Sequence, residues 1–251
     1  NIESNNISKL KSICKNNKIM SSGLLNLIDD FANINLLVIG DTIVDNYVAC
    51  DAVGMSAEAP VLVVKELENR EFIGGASIVA SHVKALGANC NYISVVGNDS
   101  SANKVEEVLR NRGIKTTLIK DSSRPTTYKT RYMVENQKLF RVSKIKEHTI
   151  SKTVEDKLIS CIRDQASEVD GILVSDFVYG VITDNVIKEI HEVCKQFNLK
   201  LFGDLQCSSQ VGKVTKFNNF DLITPTEKEA RLALNDNENG IEWIANQIIQ
   251  E

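Results

Sequence analysis

The stretch NLLVIGD (residues 35–41) is the clearest strand signal in this 251-residue sequence. Its apolar run from Leu36 to Ile39 is continuous, which is typical of a strand that is buried on both faces. Such strands occur mainly in parallel sheets that are covered by helices. The stretch therefore predicts a parallel sheet, with Gly40 and Asp41 at the carboxyl end of one strand.

Strand and helix patterns alternate along the rest of the chain. Further strands are predicted at NYISVVG (91–97), TTLIK (116–120), GILVSD (171–176), KLFGD (200–204) and FDLITP (220–225). Helices are predicted at SANKVEEVLRNRG (101–113), over residues 151–168, at TDNVIKEIHEVCKQF (183–197) and at TEKEARLAL (226–234). This alternation predicts a three-layer α/β fold whose working site lies at the carboxyl ends of the strands.

Two stretches interrupt the alternation, at about residues 46–73 and 125–144. Both have strand-like composition, with charged residues between apolar ones. We interpret them as a small antiparallel, partly exposed sheet that protrudes from the α/β body, and we call this sheet the lid. Because exposed apolar strand faces are seldom left uncovered, we expect a ligand or a second subunit to cover it.

Composition excludes several classes of protein. The chain is 43% hydrophobic and 25% charged, which is typical of a soluble globular protein, and its formal net charge is −4. The acidic balance and the scattered Lys and Arg residues argue against a nucleic-acid partner. Because there is neither a membrane-span-length apolar run nor a secretory h-region, we expect a cytoplasmic protein without a membrane partner.

Neither the amino-terminal residues nor the cysteines and histidines suggest a catalytic or metal-binding site. Residues 1–21 are rich in Asn, Ser and Lys and are predicted to be a flexible extension. SSGLLNLIDDFAN (21–33) is predicted to be a short, serine-capped helix that packs on the body. The six cysteines are dispersed and are expected to be reduced, and the three histidines show no zinc-ligand spacing.

The stretch EFIGGASIVASHVKALG (71–87) places Gly74 and Gly75 at the start of a predicted helix. Glycines there allow either a tight turn or the close approach of a ligand to the main-chain amides. Asp41 and Asp45 flank the entry to the lid, where their carboxylates would accept hydrogen bonds from sugar hydroxyls. For the two glycines we favour the approach of a ligand, with the tight turn as the alternative. For Asp41 the alternative to a role in sugar binding is a role in stabilising its turn.

Ser175 and Asp176 end another predicted strand, in VSDFVYG (174–180). Asp176 is a candidate ligand for the same substrate because the ends of parallel strands meet at one edge of the sheet. A helix-capping role is the equally weighted alternative.

Several of these segments together resemble the ribokinase-like (phosphofructokinase B group) carbohydrate kinases. They are Gly40-Asp41-x-x-x-Asp45, SAEAPVLVV (56–64), IGGASIVASHVKALGA (73–88), ENQKLFRV (135–142), ILVSDFVYG (172–180) and LITPTEKEA (222–230). Within that family, the segment Ser56-x-Glu58-Ala59-Pro60-Val61 followed by the diglycine helix is most similar to the branch that phosphorylates heptose 7-phosphate at C1. The resemblance covers about residues 23–251, so we expect a ribokinase-like kinase domain over residues 22–251.

The resemblance implies transfer of the γ-phosphoryl group of ATP, with Mg²⁺, to a sugar hydroxyl. By position, Asp41, Asp45, Gly74 and Gly75 would hold the sugar. Asn136 and Arg141 would reach its hydroxyls or distal phosphate, with ordinary exposed strand positions as the alternative. Asp204, Thr226 and Glu229 would lie at the nucleotide and Mg²⁺, with Glu229 acting through water or, alternatively, serving only as a helix-surface residue.

The sequence also departs from the family pattern. Ile78 and Thr226 stand where relatives have Asn, Tyr179 stands where close relatives have Lys, and Leu205-Gln206 replaces Pro-Lys. Each change removes a polar group near the expected site. The family's Gly-Ala-Gly-Asp segment, which carries the catalytic Asp, is not found within the 251 residues. The resemblance therefore implies that the catalytic base lies beyond residue 251 and that the kinase domain is incomplete at its carboxyl end. We expect this chain on its own to be inactive.

Three functions therefore remain open from the sequence. The first is a sugar-phosphate kinase that dimerises through the lid and is followed by a nucleotidyltransferase domain, as in some relatives. The second is a non-catalytic sugar-binding protein of the same fold. The third is a kinase for another sugar or a nucleoside.

Overall fold

The computed structural model describes residues 2–17, 19–206, 212 and 214–250. The strands within these residues are β1 (Asn35–Gly40), β2 (Thr42–Met55), β3 (Leu62–Gly75), β4 (Asn89–Val96), β5 (Lys115–Lys120), β6 (Thr127–Val134), β7 (Gln137–Lys144), β8 (Gly171–Asp176), β9 (Lys200–Leu205) and β10 (Leu222–Ile223). The helices are α1 (Ile2–Asn16), α2 (Ser21–Asp30), α3 (Ala76–Ala85), α4 (Ser100–Asn111), α5 (Lys152–Ala166), α6 (Asp184–Phe197), α7 (Glu227–Leu234) and α8 (Ile241–Gln250).

The central sheet has six strands in the order β10-β9-β8-β1-β4-β5, and every neighbouring pair is parallel. The predicted parallel sheet is therefore confirmed, although FDLITP contributes only a two-residue strand at Leu222–Ile223. Because β1 lies between β8 and β4, Asp41 follows a strand in the interior of the sheet.

Helices cover both faces of this sheet. Leu37 and Ile39 pack into a core with residues of α5 and α6, whereas Val38 packs into a second core with residues of α3 and α4. Successive side chains of a strand point to opposite faces, so these contacts define three layers. The apolar run from Leu36 to Ile39 is needed because each face of β1 meets a different layer of helices.

The lid is a four-stranded sheet in the order β3-β2-β6-β7. The two hairpins are antiparallel within themselves, but β2 and β6 pair in parallel, so the prediction of a wholly antiparallel lid was wrong. The physical reason is that β6 reaches the lid after a crossover through β4, α4 and β5, rather than through a tight turn. The first hairpin spans residues 42–75, and the second spans residues 127–144.

The amino-terminal region differs in part from the prediction. Residues 2–16 form a helix, and the described side chains of α1 are exposed apart from the half-buried Cys14. Met20, not a serine, caps α2 and makes no side-chain hydrogen bond there. Leu24, Leu25 and Ile28 are exposed, so these apolar residues do not pack on the body as predicted. The proposed flexibility of residues 1–21 stays a prediction.

Five of the six cysteines lie in the part of the chain that the structure describes. Cys14, Cys50, Cys90, Cys161 and Cys194 are free thiols, and Cys207 lies outside the described residues. In the described part of the chain, no helix has both the length and the apolar character required to cross a bilayer.

Candidate functional site

Asp41 lies at the end of β1, where its carboxylate is almost completely buried. Its Oδ2 accepts a hydrogen bond from the amide of Phe177 at 2.8 Å, so the carboxylate stabilises a loop distant in sequence rather than its own turn. Burial and the nearby Asp176 raise the pKa of Asp41 to about 7, although main-chain amides and Arg124 act in the opposite direction. Asp41 therefore keeps its proton to a higher pH than an exposed aspartate does.

Gly75 ends β3 and caps α3 with φ 61° and ψ −144°, a conformation that side chains disfavour. A Cβ atom on Gly75 would also collide with the carbonyl oxygen of Asp41, which accepts a hydrogen bond from the amide of Ala76 at 2.9 Å. A Cβ atom on Gly74 would lie 2.5 Å from Oδ2 of Asp45. The diglycine therefore lets the two aspartate segments approach the start of α3, so a structural requirement for these glycines coexists with any role in ligand approach.

A cavity of about 520 Å³ lies against this junction. Its apolar side is formed by Ile43, Tyr47, Phe72, Ile73, Ile78 and Phe177, and its remaining lining consists of Asp45, Gly74, Gly75, Lys129, Arg131 and Arg141. We call it the lid cavity. Of the residues predicted to bind substrate, Asp45, Gly74, Gly75 and Arg141 meet here, and Asp41 lies buried behind them.

The charged side of the lid cavity comes from three neighbouring strands of the lid. Lys129 is in register with Asp45 on β2, and Arg131 is directly opposite Arg141 on β7. Arg131 forms an ion pair with Asp45, and its guanidinium lies 5.2 Å from the centroid of the Tyr47 ring. Three cationic side chains therefore line the cavity against one carboxylate.

Lys129 and Arg131 were missed in the sequence. The signal was present, because two cations separated by one residue in a strand lie on the same face. The sequence did not show which side chain lies next to Lys129 and Arg131. It is Asp45, on a strand more than 80 residues away in the chain.

Lys129 is itself buried, with 2% of its surface exposed. Its ammonium group donates a hydrogen bond to the hydroxyl of Tyr179 at 2.6 Å and lies 5.0 Å from the centroid of the Tyr179 ring. Tyr179 is 1% exposed. Tyr179 is thus a direct neighbour of a cavity-lining cation.

Asp176 does not line the lid cavity. It is buried at the end of β8, where Oδ1 accepts a hydrogen bond from the amide of Val178 at 2.8 Å and Oδ2 forms an ion pair with Lys216. It lines a second cavity of about 580 Å³ with Glu155, Thr183 and Lys216 among its other residues. The structure therefore separates Asp176 from Asp45, and its local bond is to a turn rather than to a helix cap.

Asn136 is exposed in the turn between β6 and β7 and does not line the lid cavity. The structure thus does not bring it to the same place as Arg141.

The predicted nucleotide and Mg²⁺ residues lie at the ends of β9 and β10. Thr226 and Glu229 form a capping box at the start of α7, in which Glu229 Oε2 accepts hydrogen bonds from the Thr226 amide at 2.9 Å and hydroxyl at 2.7 Å. Glu229 is buried, so it is not a helix-surface residue. The Asp204 carboxylate accepts hydrogen bonds from Thr224 at 2.9 Å and from Gln206 at 3.1 and 3.2 Å.

These residues do not by themselves fit a metal ion. Across residues 2–17, 19–206, 212 and 214–250, no group of three or more His, Cys, Asp or Glu side chains is arranged to hold one. Glu229 Oε2 already accepts two hydrogen bonds from Thr226, and its role at Mg²⁺ through water stays a prediction.

The family assignment follows from comparison with known proteins. The model of the pfkB family carbohydrate kinases matches residues 33–250, which includes the lid and all six strands of the central sheet. This chain belongs to the pfkB family. The lid cavity and the diglycine junction lie within the matched residues.

Curated relatives of this pfkB chain include the bifunctional protein HldE of Campylobacter jejuni subsp. doylei, which is 33% identical over 199 residues, or 79% of this chain and 41% of the relative. The bifunctional protein HldE of Campylobacter fetus subsp. fetus is 36% identical over 205 residues, or 80% of this chain and 43% of the relative. The chain thus spans less than half the length of these relatives.

Solved structures support the same fold. Ribokinase of Arabidopsis thaliana, complexed with ribose and ATP, matches 86% of this pfkB chain and 68% of its own chain, with a TM-score of 0.61 and 14% identity. Phosphofructokinase-2 of Escherichia coli matches 86% of this chain and 68% of its own, with a TM-score of 0.63 and 11% identity. At these identities the likeness concerns the fold alone.

Proposed function

We propose that this chain is the sugar-binding part of an ATP-dependent kinase whose substrate is a sugar phosphate. The substrate that we favour is heptose 7-phosphate, phosphorylated at C1, as the sequence resemblance implies. Support comes from membership of the pfkB family and from relatives named HldE.

The observation that carries the proposal is the charge of the lid cavity. Three cationic side chains face one carboxylate there, although the chain as a whole has a formal net charge of −4. Arg131 and Arg141 are directly opposite on adjacent strands, an arrangement that is unfavourable for like charges unless a counter-charge is nearby. Asp45 provides one counter-charge, and a phosphate group on the substrate would provide another.

The other elements of the cavity suit the rest of a sugar. Asp45 is able to accept hydrogen bonds from hydroxyl groups, and the bare main chain at Gly74 and Gly75 permits close approach. The apolar side, with Phe177 and Ile78, would contact carbon atoms of the sugar and exclude water. Arg141 is our candidate for the distal phosphate, and Asn136 remains a candidate only for a contact outside the lid cavity.

ATP would lie near Asp204, Thr226 and Glu229, whereas Asp176, which lines a separate cavity, remains a candidate only for a contact outside the lid cavity. Bound with Mg²⁺, ATP supplies the phosphoryl group. The residues of this chain would orient the sugar and hold its charge.

A non-catalytic sugar-binding protein is the second candidate. It is favoured by Ile78, which lines the lid cavity with an apolar side chain where relatives have Asn. Loss of a hydrogen bond to a substrate costs about 1 kcal/mol or more, so this change alone does not preclude catalysis.

The test is an assay of ATP consumption by the full-length gene product. The panel contains heptose 7-phosphate, fructose 6-phosphate, ribose 5-phosphate, the three unphosphorylated sugars and adenosine. We expect saturable turnover with a phosphorylated sugar. Thermal stabilisation without turnover would support the binding protein, and preference for an unphosphorylated sugar or for adenosine would contradict the sugar-phosphate proposal.

We further propose a homodimer formed through the lid, located in the cytoplasm. Exposed apolar side chains on the lid include Val53, Met55, Leu62, Leu67 and Val142. A surface of this kind is typical of an interface. By analogy with relatives named bifunctional, we also propose a fused or separate downstream nucleotidyltransferase domain as a partner activity.

A further inference from the structure

We infer that Tyr179 is a positioning residue, whose buried hydroxyl holds the ammonium group of Lys129 in place for the anionic group of the substrate. This inference rests on the proposed function, because it concerns how the lid cavity recognises a sugar phosphate. The observation behind it is the 2.6 Å hydrogen bond between Lys129 and Tyr179.

Tyr179 has no direct access to the cavity. It is 1% exposed and is absent from the cavity lining, whereas Lys129 belongs to that lining. A hydroxyl in this position does not touch a ligand in the cavity directly. Lys129, which both contacts this hydroxyl and lines the cavity, is therefore a route by which Tyr179 affects substrate binding.

The backbone around Tyr179 is fixed by contacts from other segments. Its carbonyl oxygen accepts a hydrogen bond from Nη1 of the buried Arg124 at 2.9 Å. The carbonyl oxygen of Gly180 accepts another from the amide of Ile150 at 3.0 Å. Because the main chain is held at both Tyr179 and Gly180, the hydroxyl offers a positioned acceptor to a flexible lysine side chain.

Lys129 gains a defined position from this contact. Its ammonium lies 5.0 Å from the Tyr179 ring centroid and 5.8 Å from that of Phe177, which lines the cavity. In the strand register Lys129 is beside Asp45, a competing partner of opposite charge. The hydrogen bond directs the ammonium group of Lys129 to the neutral hydroxyl of Tyr179, while Asp45 forms an ion pair with Arg131.

The experiment measures dissociation constants by calorimetry on the full-length protein, with heptose 7-phosphate and with the same heptose lacking the phosphate. Variants are Tyr179→Phe, Lys129→Met and the double substitution. We expect Tyr179→Phe to weaken binding of the phosphorylated sugar about tenfold and of the unphosphorylated sugar less than threefold. In the Lys129→Met background, the same substitution is expected to change neither constant by more than about twofold.

Tyr92→Phe is the matched control. Tyr92 is also completely buried, and its hydroxyl is hydrogen-bonded to Thr42 at 2.7 Å, but Tyr92 does not line the lid cavity. The control reports the general effect of losing a buried phenol hydroxyl, and it should leave the ratio of the two dissociation constants unchanged. If Tyr179→Phe does not fold, 3-fluorotyrosine at position 179 replaces it, and an unchanged ratio then counts against the inference.

The outcomes separate the inference from the proposed function. Wild-type protein that binds no phosphorylated sugar overturns both. Wild-type protein that binds one, with a Tyr179→Phe effect that is absent, equal for both sugars or persistent without Lys129, overturns the positioning role alone.

Discussion

The amide of Ala76 donates a hydrogen bond to the carbonyl oxygen of Asp41 at 2.9 Å, which joins the first turn of α3 to the end of β1. This contact requires the preceding residue, Gly75, to turn with positive φ directly beside that oxygen. The junction is therefore the point at which the lid, the central sheet and α3 meet.

Gly75→Ala should destabilise the protein by about 3 kcal/mol, because it combines a strained backbone with a collision against Asp41. Urea unfolding followed by circular dichroism measures this change. Gly240→Ala is the control, since nothing lies within 4 Å of a Cβ atom there. Equal stability of the two variants would contradict the close approach at position 75.

Arg141→Gln should weaken binding of heptose 7-phosphate about 30-fold, because a charge-assisted hydrogen bond contributes about 2 kcal/mol. Binding of the unphosphorylated heptose should change little. Lys138→Gln removes a charge from an exposed position of the same strand outside the lid cavity, so it should leave both affinities unchanged in calorimetry. Equal losses in the two variants would show that only general electrostatics is involved.

The raised pKa of Asp41 predicts that the stability of the folded protein depends on pH. Its pKa is raised to about 7 in the folded state from 3.8, so the folded protein binds more protons than the unfolded chain between these values. The contribution of Asp41 to stability is therefore complete below about pH 4 and is lost as pH rises towards 7, by up to about 1.4 kcal/mol for each pH unit. Thermal unfolding of Asp41→Asn should show a flatter pH profile than wild type over this range.

The exposed Asp164, on α5, provides the control for that experiment. Asp164→Asn should retain the wild-type profile. A profile of Asp41→Asn that parallels wild type would mean that the carboxyl of Asp41 does not titrate in this range.

If the protein dimerises through the lid as proposed, charged substitutions on the lid surface should disrupt the dimer. Met55 and Leu67 are 65% and 63% exposed in the single chain. A glutamate at either position would strongly oppose burial of that position in an interface, because an unpaired carboxylate is costly to bury. The wild-type gene product should sediment as a dimer at micromolar concentration, and Met55→Glu combined with Leu67→Glu as a monomer. Leu86→Glu, at a comparably exposed position outside the lid, is the control. Wild-type protein that sediments only as a monomer would exclude this dimer.

Much of the fold was predictable because the signals are local. The apolar run from Leu36 to Ile39 identified a strand buried on both faces, and helical periodicity identified α4, α5 and α6 nearly to their ends. The capping box of Thr226 and Glu229 is equally local, since it spans three residues. The family resemblance assigned Thr226 and Glu229 to the nucleotide and Mg²⁺, and the structure shows that they cap the start of α7.

The candidate site was predictable only in part. Asp45 and the diglycine meet because β2 and β3 form a hairpin, which a sequence pattern can indicate. Asp176 was placed with them because both follow strands, but its side chain faces a different cavity. A shared sheet edge does not determine which way each side chain points.

The sequence by itself determined the α/β class, the interrupted alternation that gives the lid, and the family to which the chain is similar. Only the tertiary structure decided that β6 pairs in parallel with β2, which places Lys129 beside Asp45 and Arg131 opposite Arg141. The physical reason is that hydrophobic periodicity depends on each residue and its near neighbours, whereas strand order and register depend on the packing of segments far apart in the chain. The charge of the cavity is a product of that packing.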